Sequence, residues 1–144
     1  MELYDALLTT RAMRRLSDQP VDDATIQRIL RAAVQAPSGG NIQPYQFLVV
    51  TEQAIKDQLA AIYLKAHERY EPAIAKHVPP FKDEAAKARH ERNWAATDHL
   101  ARNLASVPAM VLVLVPKISM AIEDDDGTMD VGPVYASVYP AVQN

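Results

Sequence analysis

The sequence predicts an α+β fold, on three observations. Two short runs, Tyr45–Val50 and Ala109–Val115, have the length and the aliphatic, β-branched make-up of buried strands. Between and around them, apolar residues recur at intervals of three and four, the spacing that gathers them on one face of a helix. Proline and glycine mark the joins, so strands covered by helices are the economical arrangement.

The elements follow in order. Leu3, Leu7 and Leu8 stand at helical spacing beside Glu2 and Asp5, which predicts a short helix over residues 2–10. Arg11 begins a connector, and Pro20 stops any helix from running through it. Asp22 or Asp23 can cap a second helix with the stripe Ile26, Ile29, Leu30, Ala33 and Val34, ending near Ala36. Pro37-Ser38-Gly39-Gly40-Asn41 is the most turn-rich stretch of the chain, and the first strand candidate follows Pro44.

Ile55, Leu59, Ile62 and Tyr63 predict a helix over Gln53–Ala66, and the polar, proline-marked stretch Glu71–Lys82 is expected to be an excursion or lid. Another amphipathic helix is expected over Asp83–Ala105, with Trp94, Ala95, Leu100 and Leu104 facing inward, until Pro108 breaks it. Ala109–Val115, apolar on both faces, then reads as a central strand. The acidic run Glu123–Asp126 with Gly127 reads as an exposed loop, and from Val134 to Asn144 the chain turns apolar again. No repeat or composition shift marks a second domain, so residues 1–144 are expected to form one. Two strands are few beside the 5–6 or so of a mean sheet. Others must be irregular, supplied by a partner, or located in sequence that is not here.

Composition narrows the function. A net charge of −3 argues against a general nucleic-acid binder, which needs a broad excess of Lys and Arg to displace counterions. The absence of cysteine removes disulfides, thiolate nucleophiles and thiolate metal sites, and suits a reducing cytoplasm. Ala109–Val115 is too short to span a bilayer, and the acidic start MELYDALLTT lacks the basic, apolar make-up of a signal peptide. A cytoplasmic protein without a membrane segment is expected.

Two segments can carry chemistry. Arg11, Arg14 and Arg15 lie within five positions on a connector. An anion would relieve their mutual repulsion, and arginine's planar fork matches phosphate geometry. A solvated basic edge paired with Asp18, Asp22 or Asp23 is the competing reading. The turn Pro37–Gln43 can likewise be a plain helix stop, or a platform whose backbone N–H groups and Ser38, Asn41 and Gln43 side chains face a polar heterocycle. It has neither the GxGxxG spacing of a dinucleotide fold nor the GK[ST] of a P-loop.

Other candidates read as ordinary surface or core. His67, His77, His90 and His99 form no HxxxH pair, so no metal site is expected from them. Glu123–Asp126 lacks the alternating ligands of an EF-hand. Trp94 and Tyr63 read as core, whereas Tyr70 and Phe81, assigned to the proline-marked excursion, can cover a substrate.

The order of basic connector, "PV" helix start, "APSGGNIQPYQFLVV" and later "ASVYPAVQN" resembles the FMN-dependent nitroreductase family over nearly the whole chain. The resemblance implies a nitroreductase-like α+β fold, a central β-sheet flanked by helices, in an intertwined homodimer with two FMN sites at the subunit interface. In the family the connector reads Arg-Arg-Ser-x-Arg and binds the FMN phosphate and ribityl chain. Counted back from Pro20-Val21, Arg11 matches the second arginine, Ala12 the serine and Arg14 the last arginine, with Leu16 in an aromatic place. Anchoring on Arg11 as the first arginine makes Arg15 the last, so Arg11, Ala12, Arg14 and Arg15 are named together. Thr10 and Ala12 depart from the motif by one cation and one hydroxyl.

By the same resemblance, Pro37, Ser38 and Gly39 lie against the partner's flavin, Asn41 and Gln43 near its ring, and Gly40 beside the substrate space. Ser137 falls where the family's central helix begins. The implied chemistry is ping-pong transfer from NADH or NADPH through flavin to a nitroaromatic, quinone or similar small-molecule acceptor, with no protein nucleophile or general-base pair. A non-catalytic flavin- or anion-binding module of the same fold is the alternative. A helix-turn-helix regulator is disfavoured, because the arginines sit on a connector. In the family AVQN is followed by more helix, further strands and a C-terminal arm, so the sequence is expected to lack a C-terminal portion.

Overall fold

A computed structural model describes residues 2–116, 121–130 and 135–144. Its elements are α1 (Leu3–Thr9), α2 (Asp23–Ala33), β1 (Gln46–Val50), α3 (Gln53–Ala75), α4 (Glu84–Asn103), β2 (Met110–Leu114), β3 (Ala121–Asp124), β4 (Gly127–Asp130) and α5 (Tyr135–Gln143). Backbone contacts divide the chain into one unit of Met1–Gln19 and Thr51–Pro108, and another of Pro20–Val50 and Ala109–Asn144.

The first unit is helical. In α1 no residue is buried, and Leu3, Leu7 and Leu8 stay exposed. Its end is closed by Thr10, whose N–H and hydroxyl both donate to the Ala6 carbonyl, at 3.0 and 2.7 Å. The long helices α3 and α4 pack on each other, and α3 also meets the 3-10 turn Leu104–Ser106 that ends α4. Lys56 of α3 is buried and its Nζ donates to the Val107 carbonyl at 2.7 Å and to that of Pro108 at 3.4 Å. Asp83 caps α4 by accepting from the Ala86 N–H at 2.7 Å.

On α4, Arg102 Nε donates to both carboxylate oxygens of Asp98, at 3.0 and 2.9 Å. That bond leads among the causes holding the Asp98 carboxyl below the usual carboxylate range, and Asp98 in turn raises the Arg102 guanidinium.

In the second unit, Asp22 caps α2 by accepting from the Thr25 N–H at 2.6 Å. The strands β1 and β2 pair antiparallel, from Gln46 opposite Leu114 to Val50 opposite Met110. The core is Ala36, Tyr45, Val138 and Ala141, with Phe47, Val113 and Val115 packed against it. A second antiparallel pair, β3 and β4, runs from Ala121 opposite Asp130 to Asp124 opposite Gly127.

Several expectations need correction. Of the acidic run, Asp125 and Asp126 are an exposed turn as expected, but Glu123 and Asp124 end β3 of a β-hairpin, which Gly127 at φ 119° helps to close. Helix α3 continues nine residues past Ala66 to Ala75, with Pro72 inside it, so Glu71–Lys82 is only in part a connector. Proline removes one helical bond, but packing on α4 and the alanines at 73 and 75 carry the helix through. Helix α2 ends at Ala33, before Ala36. Among the described residues β2 pairs only with β1, and Val111 and Leu114 are exposed, so it is not a strand buried on both faces. Val134 lies outside the described residues.

Candidate functional site

The turn after α2 is built from unusual backbone. Ser38 is extended, Gly39–Asn41 forms a 3-10 turn, and Gly40, Asn41 and Gln43 have φ of 57°, 55° and 47°. Left-handed backbone costs a residue with a Cβ about 1–2 kcal/mol. Asn41 and Gln43 both adopt it, so surrounding bonds must hold them. Asn41 N–H donates to the Ser38 carbonyl at 3.0 Å, Ile42 N–H to the Gly39 carbonyl at 3.1 Å, and Gln43 N–H to Ser38 Oγ at 3.2 Å.

The turn is also fastened from α5. Gly39 N–H donates to Ser137 Oγ at 3.1 Å. Thus Ser38, Gly39 and Ser137, named separately from the sequence, share one hydrogen-bonded arrangement. Pro37, Gly40, Asn41 and Gln43 are exposed beside it. No hydrogen bond among the described residues engages the amide side chains of Asn41 and Gln43, which leaves both able to face a ligand.

The arginine segment lies in the other unit. Its backbone is irregular from Thr10 to Asp22. Arg11 is exposed and donates to the Thr9 carbonyl at 3.0 Å, and Arg15 is exposed. Arg14 is half-buried and donates to the Ala12 carbonyl at 3.2 Å. The competing reading of a paired basic edge finds no support within this unit, where no ion pair joins Asp18 to any of the three. Asp22 is engaged by its own helix.

Arg14 borders a cavity of about 220 Å³ with Tyr70, His90, Asn93, Trp94 and Thr97. The structure therefore brings together Arg14 and Tyr70, residues read for different purposes. Tyr70 reaches it from within α3, not from a loop. Phe81 does lie in the short connector, where it borders a neighbouring cavity with Val78, Pro79, Pro80 and His90. Rings link the two: Phe81 to His90 at 5.0 Å, His90 to Trp94 at 6.0 Å, and Trp94 to Tyr70 at 6.3 Å. Arg11, Ala12 and Arg15 are not part of either lining.

His90, Trp94 and Thr97 were not among the site residues expected from sequence, and Trp94 read as core. The available signal was their spacing of four and three along α4, which puts a ring, a ring and a hydroxyl on one face. Helical periodicity alone does not say whether such a face meets core or cavity.

Helix packed on helix in one unit and helices backing an antiparallel ribbon in the other place the chain in the α+β class. It belongs to the Nitroreductase family, whose sequence profile matches residues 7–144. An NADH dehydrogenase of Thermus thermophilus is 37% identical over 75 residues, 51% of this chain and 37% of that protein. The fold is similar to that of an iodotyrosine deiodinase bound to FMN and 3-iodo-L-tyrosine, at 22% identity and a TM-score of 0.65 over 99% of this chain and 65% of that one. An FMN-dependent nitroreductase from Mycobacterium smegmatis in complex with NADPH shares the fold at 17% identity and a TM-score of 0.56, over 97% of this chain and 66% of that one. The chain thus spans less than two thirds of the length of each of these relatives.

Proposed function

We propose that this chain carries the cofactor-facing segments of an FMN-dependent oxidoreductase that takes reducing equivalents from NADH or NADPH and passes them to a nitroaromatic, quinone or similar acceptor. The observation that carries the reading is the turn Ser38–Gln43, fastened by Ser137 in a chain of the Nitroreductase family, with two unbonded amide side chains on its exposed side. The relatives' own ligands, FMN and NADPH, give the cofactor class.

The residues present fit the group. No ion pair among the described residues engages Arg11, Arg14 or Arg15, so their charge is available to a phosphate. The N–H groups and amides of residues 38–43 suit the polar edge of a heterocycle. When bound, the flavin supplies alternating uptake and release of a hydride, a ping-pong scheme that needs no protein nucleophile. The chain's part is to orient the cofactor, and Tyr70 and Phe81 border cavities where an aromatic acceptor can be covered.

The exposed apolar residues Leu3, Leu7 and Leu8 of α1 and Tyr139 and Val142 of α5 support a homodimer that covers them. No described helix is long and apolar enough to cross a membrane, and with the absence of cysteine this supports a cytoplasmic setting.

One observation favours a second reading, a flavin- or anion-binding module without turnover. Thr10 stands where the family motif has an arginine, and its hydroxyl is committed to Ala6. A visible spectrum of the purified protein incubated with FMN, followed by anaerobic addition of NADH or NADPH, separates the possibilities. Flavin that is bleached and then reoxidised by a nitroaromatic supports the oxidoreductase. Bound flavin that neither nucleotide reduces supports the module, and a protein that stays colourless sinks both.

A further inference from the structure

His67 occupies a position that core packing alone does not explain. It faces α4 from α3, with its side chain only 4% exposed, and its Nε2 makes no hydrogen bond. A buried imidazole nitrogen without a hydrogen bond is unfavourable. Two carboxylates converge on that atom. Asp98 Oδ1 of α4 is 3.5 Å away and Glu71 Oε2, one turn along α3, is 4.0 Å away. One donor atom from each of the three residues lies within 4.8 Å of the others.

We propose that His67, Glu71 and Asp98 form a binding site for a divalent transition-metal cation, of which Zn²⁺ is the best match. One imidazole with two carboxylates is a donor set that such ions accept, at metal–ligand distances of about 2.0–2.2 Å. Donor atoms around a tetrahedral ion at that radius stand roughly 3.3 Å apart. The observed separations close to this by small side-chain rotations, since Glu71 is exposed and Asp98 half-buried. Asp98 can serve two partners, because its Oδ1 faces His67 while Oδ2 faces Arg102 at 2.9 Å. Three protein donors leave a tetrahedral ion one further coordination position, which water can take.

Bound there, the ion would replace two long carboxylate contacts of Nε2 with a coordination bond and clamp α3 to α4. The site is separate from the flavin reading and does not depend on it. Its residues stand beside the cavity that Arg14 borders: Tyr70 is next to Glu71 in α3, and Trp94 is one turn before Asp98 in α4. The His-x-x-x-Glu spacing at 67 and 71 is visible in the sequence, but the third donor comes from another helix.

The test uses the tag-free chain stripped with a chelator and titrated with Zn²⁺ by isothermal titration calorimetry, with Co²⁺ absorption as a second readout. Saturation at one ion per chain, with a rise in melting temperature, is the expected result. Glu71→Gln and Asp98→Asn, which keep side-chain volume, should each weaken binding by about tenfold or more. Both lie outside the core, so folding can be verified by circular dichroism before titration. Absence of saturable binding in the wild-type chain overturns the proposal. So does binding that both variants retain unchanged, since the ion would then sit on other histidines.

Discussion

Gly39 donates its backbone N–H to Ser137 Oγ at 3.1 Å, across 98 positions of sequence. A turn leaving α2 and the first residues of α5 are thereby set against each other, and the residue just before the left-handed Gly40 is fastened from outside the turn. The bond adds one long-range fastening from α5 to a turn whose other bonds are local.

Ser137→Ala removes the acceptor and leaves the Gly39 N–H without it. A loss of about 0.5–1.5 kcal/mol in stability is expected. FMN affinity should fall as well, because the turn loses its outer fastening. Fluorescence titration with FMN beside thermal melts checks this; unchanged affinity would disconnect the bond from the site.

At Gly40, φ of 57° excludes a branched side chain. Gly40→Val should cost about 1–2 kcal/mol, whereas Asn41→Gly, at φ 55°, should be neutral or mildly stabilising. Chemical denaturation of the pair gives the comparison, and equal effects would contradict the backbone assignment.

Lys56→Met keeps the length of the side chain but leaves the Val107 and Pro108 carbonyls without their donor. Stability should drop by about 1–3 kcal/mol, read as a lower urea midpoint at unchanged slope.

Asp98 carries a pH signature. Its carboxyl titrates below the ordinary 3.8 because of Arg102, so the contribution it makes is present above that value and is lost as pH falls through its lowered folded value. Asp98→Asn should therefore melt earlier than the wild type near neutrality, and the gap should narrow below about pH 3.8. Melting curves across that range test it. A gap independent of pH would assign the effect to packing.

What the sequence made legible was local. Asp22 caps the helix it precedes, α4 starts next to Asp83 as expected, Pro108 separates α4 from β2, and both strand candidates are strands. Local rules misled where another force outweighed them. Pro72 reads as a breaker, yet α3 passes through it on its contacts with α4. Glu123–Asp126 reads as a solvated loop because charge dominates its composition, although hairpin pairing is a property of the backbone and Gly127 was the clue.

The candidate site divided the same way. The motif "APSGGN" marked the turn, but nothing in spacing joins it to Ser137. The arginines marked a cationic segment, but only the fold separates half-buried Arg14 from exposed Arg11 and Arg15. His67, Glu71 and Asp98 converge because two helices pack, which is invisible one residue at a time.

Pro72 has a last consequence. Lacking an N–H, it leaves the Glu68 carbonyl without the usual rung, so α3 has a seam one turn before its end. The turn from Pro72 to Ala75 is joined to the rest of α3 by one backbone hydrogen bond fewer than an unbroken helix would supply. Tyr70 and Glu71 stand immediately before that seam. The one rung that proline denies α3 thus lies at the border of the aromatic cavity, beside the tyrosine that lines it.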